Sequence, residues 1–123
     1  MMVNRFLLDS NIFILLFNDR LSENLPEGEI ACSIITEIEL LSFPLLSAQE
    51  EKIIRDCLSA IAVYNINDAI KEETIRLRRI HRLKLPDAII AATARIHAAV
   101  LLTNGEQLHG IAELSCRKLM VKP

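Results

Sequence analysis

The sequence predicts a three-layer α/β/α sandwich around a parallel five-stranded sheet, built as a single domain over residues 1–123. Short predicted strands alternate with helices, and the strands are continuous apolar runs, which is typical of parallel strands buried on both faces. Apolar residues make up 51% of the chain, which has no Trp and one Tyr. This composition favours helices packed on a buried sheet over an aromatic-rich β-sandwich.

The individual elements follow from apolar runs, helical periodicity and capping residues. The strands are predicted at 5–8, 30–33, 62–64, 100–102 and 118–121. The helices are predicted at 11–17, 36–42, 48–60, 68–81 and 86–98, with a weak helical turn at 105–109.

Polar residues and one proline mark where helices begin. Thr36 and Glu39 have the spacing of a capping box for the second helix. Ser47 is a candidate cap for the third helix, and Pro86 suits the first turn of the fifth. The buried stripe of the fourth helix is predicted to hold Ile70, Ile75 (or Thr74), Leu77 and Ile80.

Charge, hydropathy and cysteine usage exclude several classes of protein. The net charge is -2, but residues 1–66 carry ten acids and four bases whereas residues 67–123 carry six acids and ten bases. A local basic surface for nucleic acid is therefore possible, and a global one is absent. No apolar run approaches the roughly 18 residues that span a bilayer, so we expect a cytoplasmic protein that does not bind membranes.

The cysteines match neither a disulfide framework nor a paired-thiolate zinc site, and we expect buried thiols at Cys32, Cys57 and Cys116.

Three acids fall at predicted strand ends or in the helical turns that follow them. Asp9 ends the first strand, Glu39 is expected in the first turn of the second helix, and Asp87 follows Pro86. Parallel strands direct their carboxyl ends to one sheet edge, where ligands bind in such folds. Neighbouring carboxylates repel one another, and a hard divalent cation such as Mg²⁺ relieves that repulsion. The three acids together therefore favour a metal site for phosphodiester hydrolysis.

Each acid also has an ordinary structural interpretation. Asp9 could cap the following helix, and Glu39 could only complete its capping box. Asp87 could be only a first-turn acid that the helix dipole favours. Glu37 is close enough in sequence to face the site instead of Glu39. It is the placement of three acids together that favours a site.

Four segments resemble the motifs of PIN-domain nucleases. Residues 7–12 resemble their opening Asp-[Thr/Ser]-Asn motif, and residues 33–40 resemble the second motif, in which the Glu before Leu is the acid. Residues 85–94 are similar to the third, an Asp-Ala-hydrophobic-hydrophobic-Ala-Ala run, and residues 101–104 resemble the fourth block. The match covers essentially the whole chain in order, and the third motif is the most specific.

This resemblance implies a small Mg²⁺- or Mn²⁺-dependent ribonuclease, most like VapC-type toxins, with a PIN-like sheet, a homodimeric state and a neutralising antitoxin as partner. It gives Asp9, Glu39 and Asp87 the role of catalytic, metal-binding acids. Of the two glutamates in the second motif, it selects Glu39 and not Glu37. The residues expected to orient these acids are Ser10, Asn11, Thr36, Thr103 and Asn104.

The fourth block departs from the family pattern. The family often has an acid two residues after the Thr, and that position is Gly105 here. Glu106 is a possible substitute acid, and activity is expected to be weak if it does not take part. One alternative function is therefore a weakened PIN domain that binds RNA or protein. A receiver-like phosphoacceptor domain is a further alternative, but it would have an acidic pair after the first strand, where Asp9 stands alone.

A basic stretch precedes Asp87 and is the candidate RNA-binding surface. Its residues are Arg76, Arg78, Arg79, Arg82 and Lys84. A solvated helix face, with cations favoured near the helix C-terminus, is an equally good interpretation. The histidines have no metal-ligand spacing and are expected to be surface or hydrogen-bonded residues: His81, His97 and His109.

Overall fold

The computed structural model describes residues 4–123 and confirms the predicted architecture. The strands are β1 Arg5–Leu8, β2 Glu29–Ser33, β3 Ala62–Tyr64, β4 Val100–Leu102 and β5 Cys116–Arg117. The helices are α1 Ser10–Phe17, α2 Ile34–Leu41, α3 Ala48–Ser59, α4 Asp68–His81, α5 Leu85–Ile96 and α6 Glu106–His109. No helix in this part of the chain is long and apolar enough to cross a membrane.

All five strands are parallel and lie in the order β3-β2-β1-β4-β5. The chain moves outward from β1 through β2 to β3 and then returns to the other side of β1 for β4. The carboxyl ends of β1 and β4 therefore form the switch point of the sheet, the place where ligands bind in open parallel sheets.

The sheet separates two apolar clusters, because alternate residues of a strand point to opposite faces. Leu7 and Leu101 lie in the cluster under α4 and α5. Phe6, Leu8 and Leu102 lie in the cluster under α1 and α3. Burial on both faces explains why these strands read as continuous apolar runs in the sequence.

Gly28 is required by the approach to β2. Its φ of +148° is a backbone conformation that residues with a side chain rarely adopt. An added Cβ would also lie 2.6 Å from the backbone oxygen of Asn4. That oxygen accepts a hydrogen bond from the N–H of Glu29, which fixes the entry into the strand.

The capping box predicted at Thr36 and Glu39 is wrong. The cap of α2 is Ser33, the last residue of β2, whose hydroxyl accepts a hydrogen bond from the N–H of Ile35. The strand runs directly into the helix, so Thr36 already lies inside it and Glu39 lies in its second turn. The caps of the next two helices are Ser47, which forms a complete capping box with Glu50, and Asn67.

Two further element predictions are wrong. The fifth strand is Cys116–Arg117 and not residues 118–121, because the backbone of Leu119 bonds the side chain of Asn104 rather than a neighbouring strand. In α4 the buried residues are Ile70, Thr74 and Leu77. The two remaining predicted residues, Ile75 and Ile80, are exposed.

The three cysteines are free thiols. Cys32 is buried, as predicted, and burial raises the pKa of its thiol to about 12. Cys57 and Cys116 are only half-buried, and burial raises the pKa of both thiols. These thiols are therefore protonated near neutral pH.

Candidate functional site

Asp9 lies at the switch point and is held there by its neighbours. It follows β1, and its backbone N–H donates to the carbonyl of Leu102 in β4. One carboxylate oxygen, Oδ1, accepts from the N–H of Ser10 at 2.7 Å, so Asp9 does cap α1. The other, Oδ2, accepts from the buried hydroxyl of Thr103 at 2.7 Å. Each oxygen keeps a further lone pair, so the capping role leaves the carboxylate able to bind a cation.

Glu39 reaches the same place from α2. Its Oε1 accepts a hydrogen bond of 2.6 Å from the hydroxyl of Ser10. That hydroxyl also lies 3.2 Å from the hydroxyl of Thr36, which is buried one turn earlier on the same helix face. Ser10 and Thr36 therefore orient Glu39 beside Asp9. Glu37 makes no such contact, and its charge acts instead on the thiol of Cys32.

Asp87 completes the group from the first turn of α5, which begins at Leu85 with no side-chain cap. Burial raises the pKa of Asp87 above its ordinary value, and the negative charges of Asp9 and Glu39 raise it further. Lys84 opposes this increase in the pKa. The charges of Asp9 and Glu39 therefore act on Asp87.

The carboxylates are a suitable donor set for a hard divalent cation, which would relieve their repulsion. Within residues 4–123 no group of three or more His, Cys, Asp or Glu side chains is placed so that it could hold a metal ion. Mg²⁺ commonly binds proteins through one or two carboxylates and keeps several waters. The residues present fit that mode of binding.

The residues after β4 have different roles from one another. The Thr103 hydroxyl accepts from the N–H of Gly105 as well as donating to Asp9. The amide of Asn104 bonds both backbone groups of Leu119, so it anchors the C-terminal segment and makes no bond to the acids. Asn11, on α1, is exposed.

Glu106 is paired outside the group of acids. Its side chain is 81% exposed and bonds Lys118, which lowers the pKa of the Glu106 carboxyl. Sequence reasoning missed Lys118, because only the fold brings the C-terminal segment next to α6.

The basic stretch divides into engaged and available cations. Arg76 bonds Glu73 and Glu113, and Arg78 donates to the carbonyl of Leu83. No salt bridge within residues 4–123 involves the remaining three, which are all exposed: Arg79, Arg82 and Lys84.

The three histidines are each engaged by a neighbour. His81 donates to Glu113, His97 stacks on Tyr64 with ring centroids 3.6 Å apart, and His109 hydrogen-bonds the carbonyl of Thr103.

A family model described as PIN domain matches residues 6–114. A toxin–antitoxin complex from Klebsiella pneumoniae contains a chain 36% identical to this one, covering 88% of this chain and 93% of that chain with a TM-score of 0.75. No curated protein sequence matches this chain.

Two structures of lower identity share the fold. VapBC-1 from nontypeable Haemophilus influenzae is 24% identical, covers 93% of this chain and 97% of that chain, and has a TM-score of 0.78. VapBC2 from Rickettsia felis, bound to a DNA fragment from their promoter, is 20% identical, covers 93% and 98%, and has a TM-score of 0.75.

Proposed function

The chain belongs to the PIN domain family, and on that premise we propose that it is a metal-dependent endoribonuclease that hydrolyses single-stranded RNA as the toxin of a toxin–antitoxin pair. The observation that carries the proposal is the placement of Asp9 and Glu39 around Ser10, whose N–H donates to Asp9 and whose hydroxyl donates to Glu39. Asp87 lies in the first turn of α5, and the charges of Asp9 and Glu39 act on it. The likeness to a chain of the Klebsiella toxin–antitoxin complex supports the toxin role.

The acids Asp9, Glu39 and Asp87 are the proposed ligands of Mg²⁺ or Mn²⁺, with one or two of them bound directly and waters completing the coordination. When bound, such an ion neutralises the charge that develops on the phosphate and activates water for attack on phosphorus. Thr103 and Ser10 keep Asp9 and Glu39 oriented through the bonds described above, as the outer partners of metal ligands commonly do.

The exposed cations would bind the RNA backbone. Arg79, Arg82 and Lys84 have no carboxylate partner among residues 4–123, and Lys84 lies close enough to Asp87 to affect its pKa. Phosphate contacts of this kind supply affinity without sequence information, and salt weakens them.

Cleavage of a labelled single-stranded RNA in Mn²⁺ tests the proposal. We expect wild-type protein to cut it, excess chelator to stop cleavage, and Asp9→Asn to reduce the rate by at least about a hundredfold, of the order seen when a group that stabilises the transition state is removed. Asp56→Asn, on α3, is the matched control, because the Asp56 side chain pairs only with Lys52 among residues 4–123. Cleavage that persists in chelator, or equal rates for the two variants, would refute the proposal.

A second candidate function is a weakened PIN domain that binds RNA or protein without cutting. The pairing of Glu106 with Lys118 favours this candidate. Because Glu106 is bonded to Lys118, it does not replace the acid that the family often has at the position of Gly105. Calorimetric titration with Mn²⁺ separates the two candidates. Binding that is lost in Asp87→Asn supports the nuclease, whereas no binding by the wild-type protein supports the binding module.

The antitoxin partner is proposed to cover an apolar groove between α1, α2 and α3. The groove has a volume of about 200 Å³, and its lining includes Phe17, Leu40, Phe43 and Ile53. Phe43 is 44% exposed and Ile53 is 50% exposed. We expect Phe43→Glu to prevent co-purification with an antitoxin encoded next to this chain, and Ile80→Glu on α4 to leave the co-purification intact.

A homodimeric state and a cytoplasmic location stay predictions. Sedimentation of the purified protein measures the oligomeric state.

A further inference from the structure

A polar pocket holds Arg82, one of the cations proposed to bind RNA, together with residues that the proposed hydrolysis does not use. It has a volume of about 290 Å³ and lies between the turn that joins α4 to α5 and the short helix α6. This volume is close to the lower limit of small-molecule sites and far exceeds that of one water. The pocket is lined by His81, Arg82, Leu83, Gln107, Gly110 and Ile111.

Both walls of the pocket continue into the segments that carry the acids. One wall, residues 81–83, leads into the first turn of α5 and Asp87. The other begins at Gln107, four residues after Thr103, whose hydroxyl bonds Asp9. The pocket is therefore joined through short stretches of chain to Asp87 on one side and to the partner of Asp9 on the other.

The wall at residues 81–83 is held in place before any ligand arrives. Arg82 ends α4 in the left-handed conformation with a φ of 55°, and its N–H donates to the carbonyl of Arg78. The Arg78 side chain in turn donates to the carbonyl of Leu83. His81 is fixed by a 2.5 Å bond to Glu113.

The lining has the chemistry that an unstacked nucleobase requires. Leu83 and Ile111 are buried and form an apolar surface, while Arg82 and Gln107 are exposed. Bases of single-stranded RNA stack on imidazole or guanidinium planes and are read by hydrogen bonds to their edges, for which an amide supplies both a donor and an acceptor.

We propose that this pocket holds one unstacked base of single-stranded RNA, with Gln107 bonding the base edge and Arg82 bonding the adjoining phosphate. The pocket would thereby give the enzyme a base preference next to the cleavage point. The inference rests on the proposed RNA substrate, but its test does not depend on cleavage.

The test measures the affinity of fluorescent oligomers of adenylate, of cytidylate and of uridylate by anisotropy in chelator. We expect the wild-type protein to favour one of them, and Gln107→Ala to reduce the ratio of best to worst dissociation constant by about tenfold, the contribution of one base-edge contact. Gln49→Ala, on α3, is the matched control, because Gln49 is the other glutamine of the chain and is exposed on the far side of the sheet.

A second variant tests the phosphate contact. Arg82→Ala is expected to weaken all three oligomers alike and to reduce the slope of log affinity against log salt by about one. Arg55→Ala, whose guanidinium pairs with Glu51 on α3, is expected to leave that slope unchanged.

The proposal is overturned if the wild-type protein binds no oligomer or has no base preference, or if Gln107→Ala keeps that preference or weakens every oligomer equally. Base-selective binding that depends on Gln107, without cleavage in Mn²⁺, supports the pocket and refutes the proposed hydrolysis. Cleavage that Asp9→Asn abolishes, with a base preference that Gln107→Ala leaves unchanged, refutes the pocket alone.

Discussion

Replacing Thr103 by valine tests whether the site depends on one buried hydroxyl. This hydroxyl donates to Asp9 and accepts from the N–H of Gly105, and the residue is fully buried. Valine keeps the shape of the side chain and removes both bonds.

The two lost hydrogen bonds differ in how much each contributes to the free energy of unfolding. A hydrogen bond to a charged acceptor contributes about 1.5–3 kcal/mol, and an ordinary one about 0.5–1.5 kcal/mol. We therefore expect Thr103→Val to reduce the free energy of unfolding by roughly 2–4 kcal/mol, which lowers the Tm of a domain of this size by about 10 °C. Urea denaturation and a thermal scan, both in chelator, measure these changes.

Thr103→Ser is the control because it keeps the hydroxyl and loses one methyl, which costs about 1 kcal/mol in a core. The expected order of stability is wild type, then serine, then valine. A valine variant more stable than the serine variant would mean that Thr103 acts by packing, and would refute the argument that its hydroxyl holds Asp9.

The remaining predictions concern charge and backbone conformation. Gly105→Asp is expected to raise Mn²⁺ affinity by roughly tenfold in calorimetry, because it adds a charged ligand at a φ of -74° where a Cβ is 3.4 Å from its nearest neighbour; unchanged affinity would mean that this position does not face the ion. Asp87→Asn in chelator is expected to be more stable than the wild type at pH 7. Because folding raises the pKa of Asp87, the wild type loses stability as the pH rises from 3.8 through the folded-state pKa. Denaturation at pH 3 should show no such advantage, and a stability difference that is the same at both pH values would contradict this reasoning. Gly28→Ala is expected to lose at least about 1–3 kcal/mol from its glycine-only conformation alone, whereas Gly110→Ala, with 3.6 Å of clearance, should unfold at nearly the wild-type urea concentration.

Most of the sheet could be predicted because it depends on patterns close in sequence, and continuous apolar runs marked β1 and β4. Asp9 directly follows β1 and Asp87 lies in the first turn of α5, where the sequence placed them, whereas Glu39 lies in the second turn of α2 and not in the first. Choosing Glu39 over Glu37 needed the family resemblance, and the bond from Ser10 to Glu39 gives the physical reason for that choice.

The failed predictions each depended on a hydrogen bond that composition and spacing do not reveal. Residues 118–121 have the composition of a strand, but the amide of Asn104 takes the backbone bonds of Leu119 that a strand would have used. Thr36 has the spacing of a cap, but Ser33 is nearer to the strand end and caps α2 first. Hydropathy could not distinguish the exposed Ile75 from the buried Thr74, since the hydroxyl of Thr74 bonds the carbonyl of Ile70 and is satisfied inside the helix.

The two apolar clusters keep the proposed antitoxin groove and the proposed base pocket on opposite faces of the sheet. The groove residues Leu40 and Ile54 belong to one cluster, and the pocket residues Leu83 and Ile111 belong to the other. Effects of substitutions that share no partner generally add. Substitutions in the proposed antitoxin groove are therefore expected to leave the proposed base pocket unchanged, while the backbone of β1 and β4 supports both.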